Sequence, residues 1–169
     1  MNKEVVVHDP LQKGYTYTLI EPEGKNFSPD FKPELTPKEM LELGVFGGTY
    51  FEGEISEYPS SWFANEKTST TGHYDVTCNY FGVRASQSRE IWIANGWMHP
   101  DDPRGWFQWY CRYYVGRRKP LEDRRQIERW QKIVRHLAQI KYACRVGDTT
   151  CRPRQRQAIL HWAYNAITL

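Results

Sequence analysis

The segment 105–115, GWFQWYCRYYV, constrains the fold of this chain more than any other part of its sequence. Six of its eleven residues are aromatic, and apolar side chains occur on nearly every side of the helix that it predicts. A helix that is apolar all round is buried in the interior of a protein. Asp102 and Pro103 suit the start of this helix, and Gly116 suits its end. We therefore expect a central helix over residues 102–116.

The length and composition fit one folded domain. A chain of 169 residues is ordinary for a single domain, and an aromatic content of 15% excludes a disordered chain. We predict one α+β domain over residues 1–169. Its small, irregular β part lies in residues 1–83, and its helical, aromatic-rich part lies in residues 84–169. No apolar run approaches the ~20 residues of a membrane span, so no membrane interaction is expected.

The N-terminal half carries signals for two strands and one helix. Strand-forming residues cluster at 4–8 and 15–20. Thr36 and Glu39 have the spacing of a capping box, in which each residue accepts a hydrogen bond from the other's backbone N–H. The helix that begins there is short, because Gly44 stops it.

Three further helices are expected in the C-terminal half. One is capped at Ser86 or Ser88 and runs to Ala94, before an Asn-Gly stop signal. A long helix follows over residues 121–144. The last helix begins at Pro153 and runs to about residue 166.

Charge is distributed unequally along the chain, although the net charge is only +3. Residues 1–83 hold 6 Lys/Arg and 13 Asp/Glu, whereas residues 84–169 hold 17 Lys/Arg and 7 Asp/Glu. Of those 17 cations 14 are Arg, whose planar guanidinium matches phosphate and carboxylate groups. This bias favours an anionic partner for the C-terminal half. The alternative is that the acidic half neutralises the basic half within the fold.

The predicted helix over residues 121–144 carries cations along one side. A helical projection separates them from the apolar residues on the opposite side, apart from Lys141, which falls on the apolar side. These cations are Arg124, Arg125, Arg129, Lys132 and Arg135, with His136 beside them. Only Glu128 interrupts this side, which suits the regularly spaced phosphates of a nucleic acid. The alternative is an ordinary solvated helix surface.

Three arginines crowd the start of the last predicted helix. They are Arg152, Arg154 and Arg156. The helix dipole disfavours cations at this end, and a bound phosphate would relieve them. The alternative is that Glu52, Glu54 or Glu57 of the acidic half pairs with them.

Arg112 interrupts the aromatic helix. A buried arginine needs a partner, so this side chain either meets a carboxylate or reaches an anion-binding site. The rings around it could stack on unpaired bases, but at helical spacing most of them must face the core.

Residues 73–80 alternate between polar and apolar, which predicts a half-buried strand with one polar face. His73 and Asp75 would lie close together on that face, where they could act as a base and its orienting group. The alternative is an ordinary polar strand face. The sequence has no Gly-rich phosphate loop, H-E-x-x-H motif or nucleophile elbow, and we expect neither a metal ion nor a cofactor.

The four cysteines form no C-x-x-C pair. Free thiols in a reducing cytoplasm are the simplest interpretation, since the chain also starts without a signal-peptide stretch. Cys144 and Cys151 flank a loop and could instead pair with each other. We therefore expect a cytoplasmic location.

One long string resembles a known family. GWMHPDDPRGWFQWYCRYYVGRR, followed by RQIERW and CRPRQRQAILHWAY, is similar to an uncharacterised family of small proteins from phage and cellular genomes. With LTPKEMLELGVFGG the resemblance extends over roughly residues 36–166. That family has no established activity, so the resemblance implies none for this chain.

These patterns together predict a nucleic-acid-binding protein that grips phosphates through its arginine-rich helices. The predicted contacts are Arg112, Arg124, Arg125, Arg129, Lys132, Arg135, Arg152, Arg154 and Arg156. The alternative is a small enzyme acting on a nucleotide, a nucleic-acid base or another anionic substrate, with His73, Asp75 and Arg112 as its first candidates. A third hypothesis is an interaction module whose basic surface meets an acidic protein partner.

Overall fold

The computed structural model describes residues 2–51, 56–85, 91, 94, 96 and 99–169. A small hairpin is followed by helices that lie mostly in the C-terminal half, so the predicted α+β class is confirmed. The strands are β1, Lys3–Val6, and β2, Thr16–Leu19, and the helices are α1, Pro37–Leu43, α2, Trp106–Val115, α3, Pro120–Lys132, α4, Val134–Ala143, and α5, Pro153–Leu160. Of the helix predicted from Ser86 or Ser88 to Ala94, residues 91 and 94 are described and are helical, and the rest lies outside the described residues.

The hairpin is fastened to the end of the central helix. β1 and β2 pair antiparallel, with Val5 opposite Tyr17, whose ring is buried. The carbonyl of Gly116 then accepts a hydrogen bond from the N–H of Ile20 at 2.9 Å. Gly116 has a φ of +124°, and a Cβ there would overlap the carbonyl oxygen of Glu21, so only glycine fits this junction.

The capping box at the start of α1 is confirmed. Thr36 Oγ1 accepts from the N–H of Glu39 at 3.1 Å, and Glu39 Oε1 accepts from the N–H of Thr36 at 2.9 Å. These two bonds satisfy N–H groups that the first turn of a helix leaves unpaired. α1 ends at Gly44, as its sequence predicts.

The strand predicted over residues 73–80 is wrong. Asp75 instead caps a 3₁₀ turn, Val76–Cys78, because its Oδ1 accepts from the N–H and the hydroxyl of Thr77 at 2.9 and 2.6 Å. Among the described residues, β1 and β2 form the one sheet, so this segment has no partner strand. The local turn made by the Asp side chain therefore prevails over the alternating pattern.

α2 lies in the middle of the hydrophobic core, as its composition predicts. Its residues from Trp106 to Tyr113 are all buried. Phe31, from the acidic half, packs against five rings of α2 and α3 with centroids 5.0–6.3 Å away. The rings of α2 therefore serve packing within the protein, and they are not exposed to stack on bases.

Three helix boundaries differ from the prediction, the first being the end of α5, which lies at Leu160 rather than near residue 166. α2 begins after Gly105 rather than at Asp102, whose carboxylate is occupied by buried arginines. The helix predicted over residues 121–144 is divided at Ile133, whose N–H bonds to the carbonyl of Trp130 in place of a fourth-residue partner. α3 and α4 are consequently separate helices, so the helical projection over residues 121–144 applies only within each of them.

A buried network of ion pairs joins the two halves of the chain. Its pairs are Arg104 with Asp9, Arg112 with Glu57 and Asp102, and Arg117 with Asp102. All three guanidiniums are at most 5% exposed. With three cations against three carboxylates, the network is neutral in itself. Neutralisation by the acidic half, the alternative stated above, therefore holds for Arg104 and Arg112, whereas Arg117 is neutralised by Asp102 of the basic half itself.

Asp102 is the centre of this network. Its Oδ1 accepts from Arg112 at 3.0 Å and from Arg117 at 2.9 Å, and its Oδ2 accepts from Arg117 at 2.7 Å. Burial by itself lowers the pKa of Arg117, but the Asp102 carboxylate outweighs burial and raises that pKa above its ordinary value. Both guanidiniums thus remain charged in the interior.

Replacing Asp102 by Asn is expected to destabilise the fold by roughly 3–5 kcal/mol, because two buried guanidiniums lose their shared negative charge. The same substitution at Asp30, which pairs with Arg124 on the exposed surface, is the matched control and should change stability little. Urea unfolding of the two variants measures the difference. Equal losses in both variants would contradict the central role of Asp102.

Candidate nucleic-acid interface

Six exposed cations lie on the part of the molecule formed by the end of α3, α4, the following loop and the start of α5. They are Lys132, Arg135, Lys141, Arg145, Arg152 and Arg154, and we call them the cationic face. From residue 129 to 169 the sequence holds 8 Lys/Arg and only one acidic residue, Asp148. Within the described part of the chain, no carboxylate comes within 4.0 Å of any of these six cations.

Gln155 connects the two helices that carry this face. Its Nε2 donates to Gln139 Oε1 at 2.5 Å and lies 3.1 Å from His136 Nδ1, and its Oε1 accepts from Arg152 Nη1 at 3.2 Å. Arg152 is thereby held beside the surface of α4. Arg135 lies one helical turn before Gln139 on the same side of α4, so cations from both helices share one surface.

His136 adds no charge to this face at neutral pH. Partial burial and the neighbouring Arg135 both lower the pKa of His136 below its ordinary value, with burial the larger cause. The positive charge of the surface therefore comes from Lys and Arg alone, and it does not depend on pH near neutrality.

A disulfide closes the loop between α4 and α5. Cys144 and Cys151 are bonded, seven residues apart in sequence, so the expectation of free thiols is wrong for this pair. Cys78 and Cys111 are free. The bond holds Arg145 and Arg152, each next to one of the cysteines, at the same end of the molecule. The alternative pairing, stated above, is the one observed.

The start of α5 keeps two of its three predicted arginines at the surface. Arg152 is the N-cap residue with a φ of +54°, and Arg154 is exposed in the first turn, which holds no acidic residue. Arg156 is fully buried, and its guanidinium donates to the carbonyls of Cys151, Ala166 and Leu169. Arg156 therefore tethers the chain after α5 and does not contribute to the surface.

Four other arginines that were predicted to contact nucleic acid have partners within the protein. Arg112 is fully buried in the ion-pair network, where it bonds Glu57 and Asp102. The other three lie on α3: Arg124 bonds Asp30 at 2.7 Å, Arg125 bonds Glu122, and Arg129 bonds Gln126 and lies over the ring of Trp162. Glu122 and Gln126 lie three residues earlier on α3 itself, whereas Glu57, Asp102, Asp30 and Trp162 come from other segments, which a helical projection cannot show. Lys132 and Arg135 are the members of the predicted stripe that the structure leaves unpaired among its described residues.

The two residues predicted for catalysis do not form a pair. His73 is exposed, and its backbone N–H donates to Thr71 Oγ1 at 3.3 Å. The hydrogen bonds from Thr77 occupy Asp75 Oδ1 and lower the pKa of its carboxyl group. Because the predicted strand is absent, the two side chains share no sheet face, and the described contacts include no hydrogen bond between them.

A cleft of about 580 Å³ lies at the start of α3. Its polar lining consists of His99, Asp101, Arg118, Lys119, Glu122 and Arg125. His99 Nδ1 lies 3.0 Å from Glu122 Oε2, and Lys119 Nζ lies 2.7 Å from Asp101 Oδ2. Sequence reasoning did not single out His99, because its carboxylate partner is 23 residues away and only the fold brings them together.

Sequence reasoning also missed Tyr142, whose side chain is 96% exposed on α4. A signal for it exists, because seven residues make almost two helical turns and place Tyr142 on the same side as Arg135. Lys141 precedes Tyr142 in the sequence. Val146, which follows the helix, is 88% exposed. The cationic face thus includes an unburied ring.

Comparisons with known protein families, curated proteins and solved structures give no match. The resemblance to an uncharacterised family therefore remains an expectation from the sequence. None of the helices in the described ranges has the length and hydropathy needed to cross a bilayer.

Replacing both Cys144 and Cys151 by Ser is expected to lower the free energy of unfolding by roughly 2–3 kcal/mol, the loop-entropy value for so short a closed loop. Replacement of the free Cys78 by Ser is the control. Urea unfolding of air-oxidised protein, with and without reductant, measures the effect. Reductant should destabilise the wild type and leave the double variant unchanged; four titratable thiols in the oxidised wild type would contradict the bond.

Proposed function

We propose that this protein binds nucleic acid through the cationic face. The observation that carries the proposal is that six exposed cations, from two adjacent helices, their connecting loop and the end of a third helix, have no carboxylate within 4.0 Å among the described residues. Asp148 lies in the same loop, where hydrogen bonds from Thr150 and, to a smaller extent, the charges of Arg156 and Arg145 lower the pKa of its carboxyl group. The other arginines predicted to bind phosphate have hydrogen-bond or ion-pair partners within the protein. Unlike these six cations, they need no external anion. A solvated surface usually mixes both signs of charge, whereas here a stretch of 41 residues holds a single acidic group.

The chemistry of the face suits a phosphate backbone. Four of the six cations are Arg, which donates paired hydrogen bonds to two oxygens of one phosphate. A nucleic acid presents such charges at regular intervals, and each contact releases a condensed counterion to solution. The binding is accordingly expected to be driven by charge and to depend steeply on salt.

This proposal retains part of the set predicted from sequence. Lys132, Arg135, Arg152 and Arg154 remain, and Lys141 and Arg145 join them. Contacts through Arg112 and Arg156 are dropped, because both side chains are fully buried.

Neutralising four of these cations, in the variant Arg135→Gln/Lys141→Gln/Arg152→Gln/Arg154→Gln, is expected to abolish most of the binding. With about six phosphate contacts, wild-type affinity should fall roughly a thousandfold between 50 and 200 mM salt, and the variant should show a much shallower slope. Fluorescence anisotropy with labelled DNA and RNA oligonucleotides measures both quantities.

The matched control removes the same charge from the other half of the chain, in the variant Lys3→Gln/Lys13→Gln/Lys25→Gln/Lys32→Gln. These four lysines are also exposed. The control should reduce affinity far less than the first variant does. Wild-type protein that binds no polynucleotide at 50 mM salt, or equal losses in the two variants, would refute the proposal.

A second function, catalysis on a nucleotide or another small anion, is favoured by one observation in the cleft at the start of α3. There His99 Nδ1 lies 3.0 Å from Glu122 Oε2 and accepts the N–H of Asp101 at 3.1 Å, so these contacts orient the ring and leave Nε2 as the nitrogen that could act as a base. Arg118, Lys119 and Arg125 line the same cleft, and a bound phosphate would compete with Asp101 for Lys119 and with Glu122 for Arg125.

A thermal-shift screen with nucleoside mono-, di- and triphosphates tests the cleft. A bound nucleotide should raise the melting temperature of the wild type and of His73→Ala, a control at an exposed histidine, but not of His99→Ala. Absence of any nucleotide-dependent shift, or an undiminished shift in His99→Ala, would remove this second function.

A further inference from the structure

We infer that the nucleic acid held by the cationic face is single-stranded, and that one of its bases stacks on the ring of Tyr142. The inference rests on the proposed function and specifies the class of ligand for the same surface. It comes from the exposure of one aromatic side chain and from its neighbours.

Tyr142 stands apart from the other rings of the protein. Among the described aromatic residues, only Tyr80, at 40%, and Tyr142, at 96%, are exposed. Tyr80 packs edge-on against Phe81 and lies beneath Lys67, so it has partners within the fold. The described ring contacts include none to Tyr142. The described rings other than Tyr80 are buried or half-buried, whereas the ring of Tyr142 is almost fully accessible.

The neighbours of Tyr142 are cations and other groups that suit a nucleic-acid strand. Gln139 lies three residues before it and Arg135 seven before it on the same side of α4. Lys141 precedes it, and Arg145 follows the helix. A strand whose phosphates contact these cations passes within reach of the ring. Alternating cations and an exposed ring are the two elements of single-strand binding surfaces.

The charge of the cationic face and the exposure of the Tyr142 ring together favour one class of ligand. A duplex keeps its bases stacked inside, so an exposed ring gains nothing from it unless base pairs are opened at a cost. An acidic protein segment would satisfy the cations but would leave the ring face without a stacking partner. An unpaired strand satisfies both, since every base offers a flat π-face.

The test compares single-stranded and duplex oligonucleotides of the same sequence, with 2-aminopurine in the single strand as a reporter of stacking. The variants are Tyr142→Leu and Tyr142→Phe, with Tyr80→Leu as the control at the other exposed tyrosine. Tyr142→Leu should weaken single-strand binding roughly 5- to 150-fold, the usual range for the loss of one stacked base. Tyr142→Phe keeps the ring and should bind like the wild type.

Two readouts separate stacking from charge. Binding to the wild type should quench 2-aminopurine, and Tyr142→Leu should lose that quenching. The salt dependence of binding should stay the same in Tyr142→Leu, because no cation is removed. Tyr142 is almost fully exposed, so a leucine there is expected to leave the melting temperature unchanged, which circular dichroism verifies.

The outcomes distinguish this inference from the function on which it rests. Steeply salt-dependent binding with equal affinity for duplex and single strand, and no effect of Tyr142→Leu, would overturn the inference and leave nucleic-acid binding intact. Failure of the wild type to bind either form at low salt would remove both. Tighter binding of poly-glutamate than of the oligonucleotide at equal ionic strength would overturn the inference in favour of an acidic protein partner.

Discussion

The structure depends on the placement of one buried carboxylate, Asp102, between the guanidiniums of Arg112 and Arg117. Burying charges is costly, and it is tolerated here because each guanidinium is paired and hydrogen-bonded. The network also reaches the hairpin, since Glu57 accepts from the hydroxyl of Tyr17 at 2.6 Å as well as from Arg112. The acidic and basic halves of the chain are thereby held together around α2.

This interior network divides the arginines into two groups with different roles. Those near α2 and the start of α3 meet carboxylates or carbonyl groups of the chain, and they stabilise the fold. Those on α4 and at the start of α5 have no carboxylate within 4.0 Å among the described residues. Because the first group is paired internally, the second group is left to interact with solvent and with external anions. The separation of the two groups is the physical basis of the proposed nucleic-acid interface.

The interface is held together by contacts that differ from those of the core. Gln155 links Arg152 to His136 and Gln139, and the Cys144–Cys151 bond restrains the loop between the helices. Both restrain side chains on a surface where like charges repel one another. A disulfide is more typical of an oxidising compartment than of a reducing one. The cytoplasmic location expected from the sequence therefore remains a prediction.

The sequence by itself determined the features that depend on local patterning. The all-round apolar character of residues 106–115 placed α2 in the core, and the spacing of Thr36 and Glu39 placed α1. The distribution of charged residues along the sequence identified the C-terminal half as the part with net positive charge. Only the tertiary structure decided which arginines remain free, because the partners of Arg112, Arg124 and Arg156 lie far away in the sequence or are backbone carbonyls. A helical projection shows which way a side chain faces, but burial and pairing depend on what other segments bring to that face.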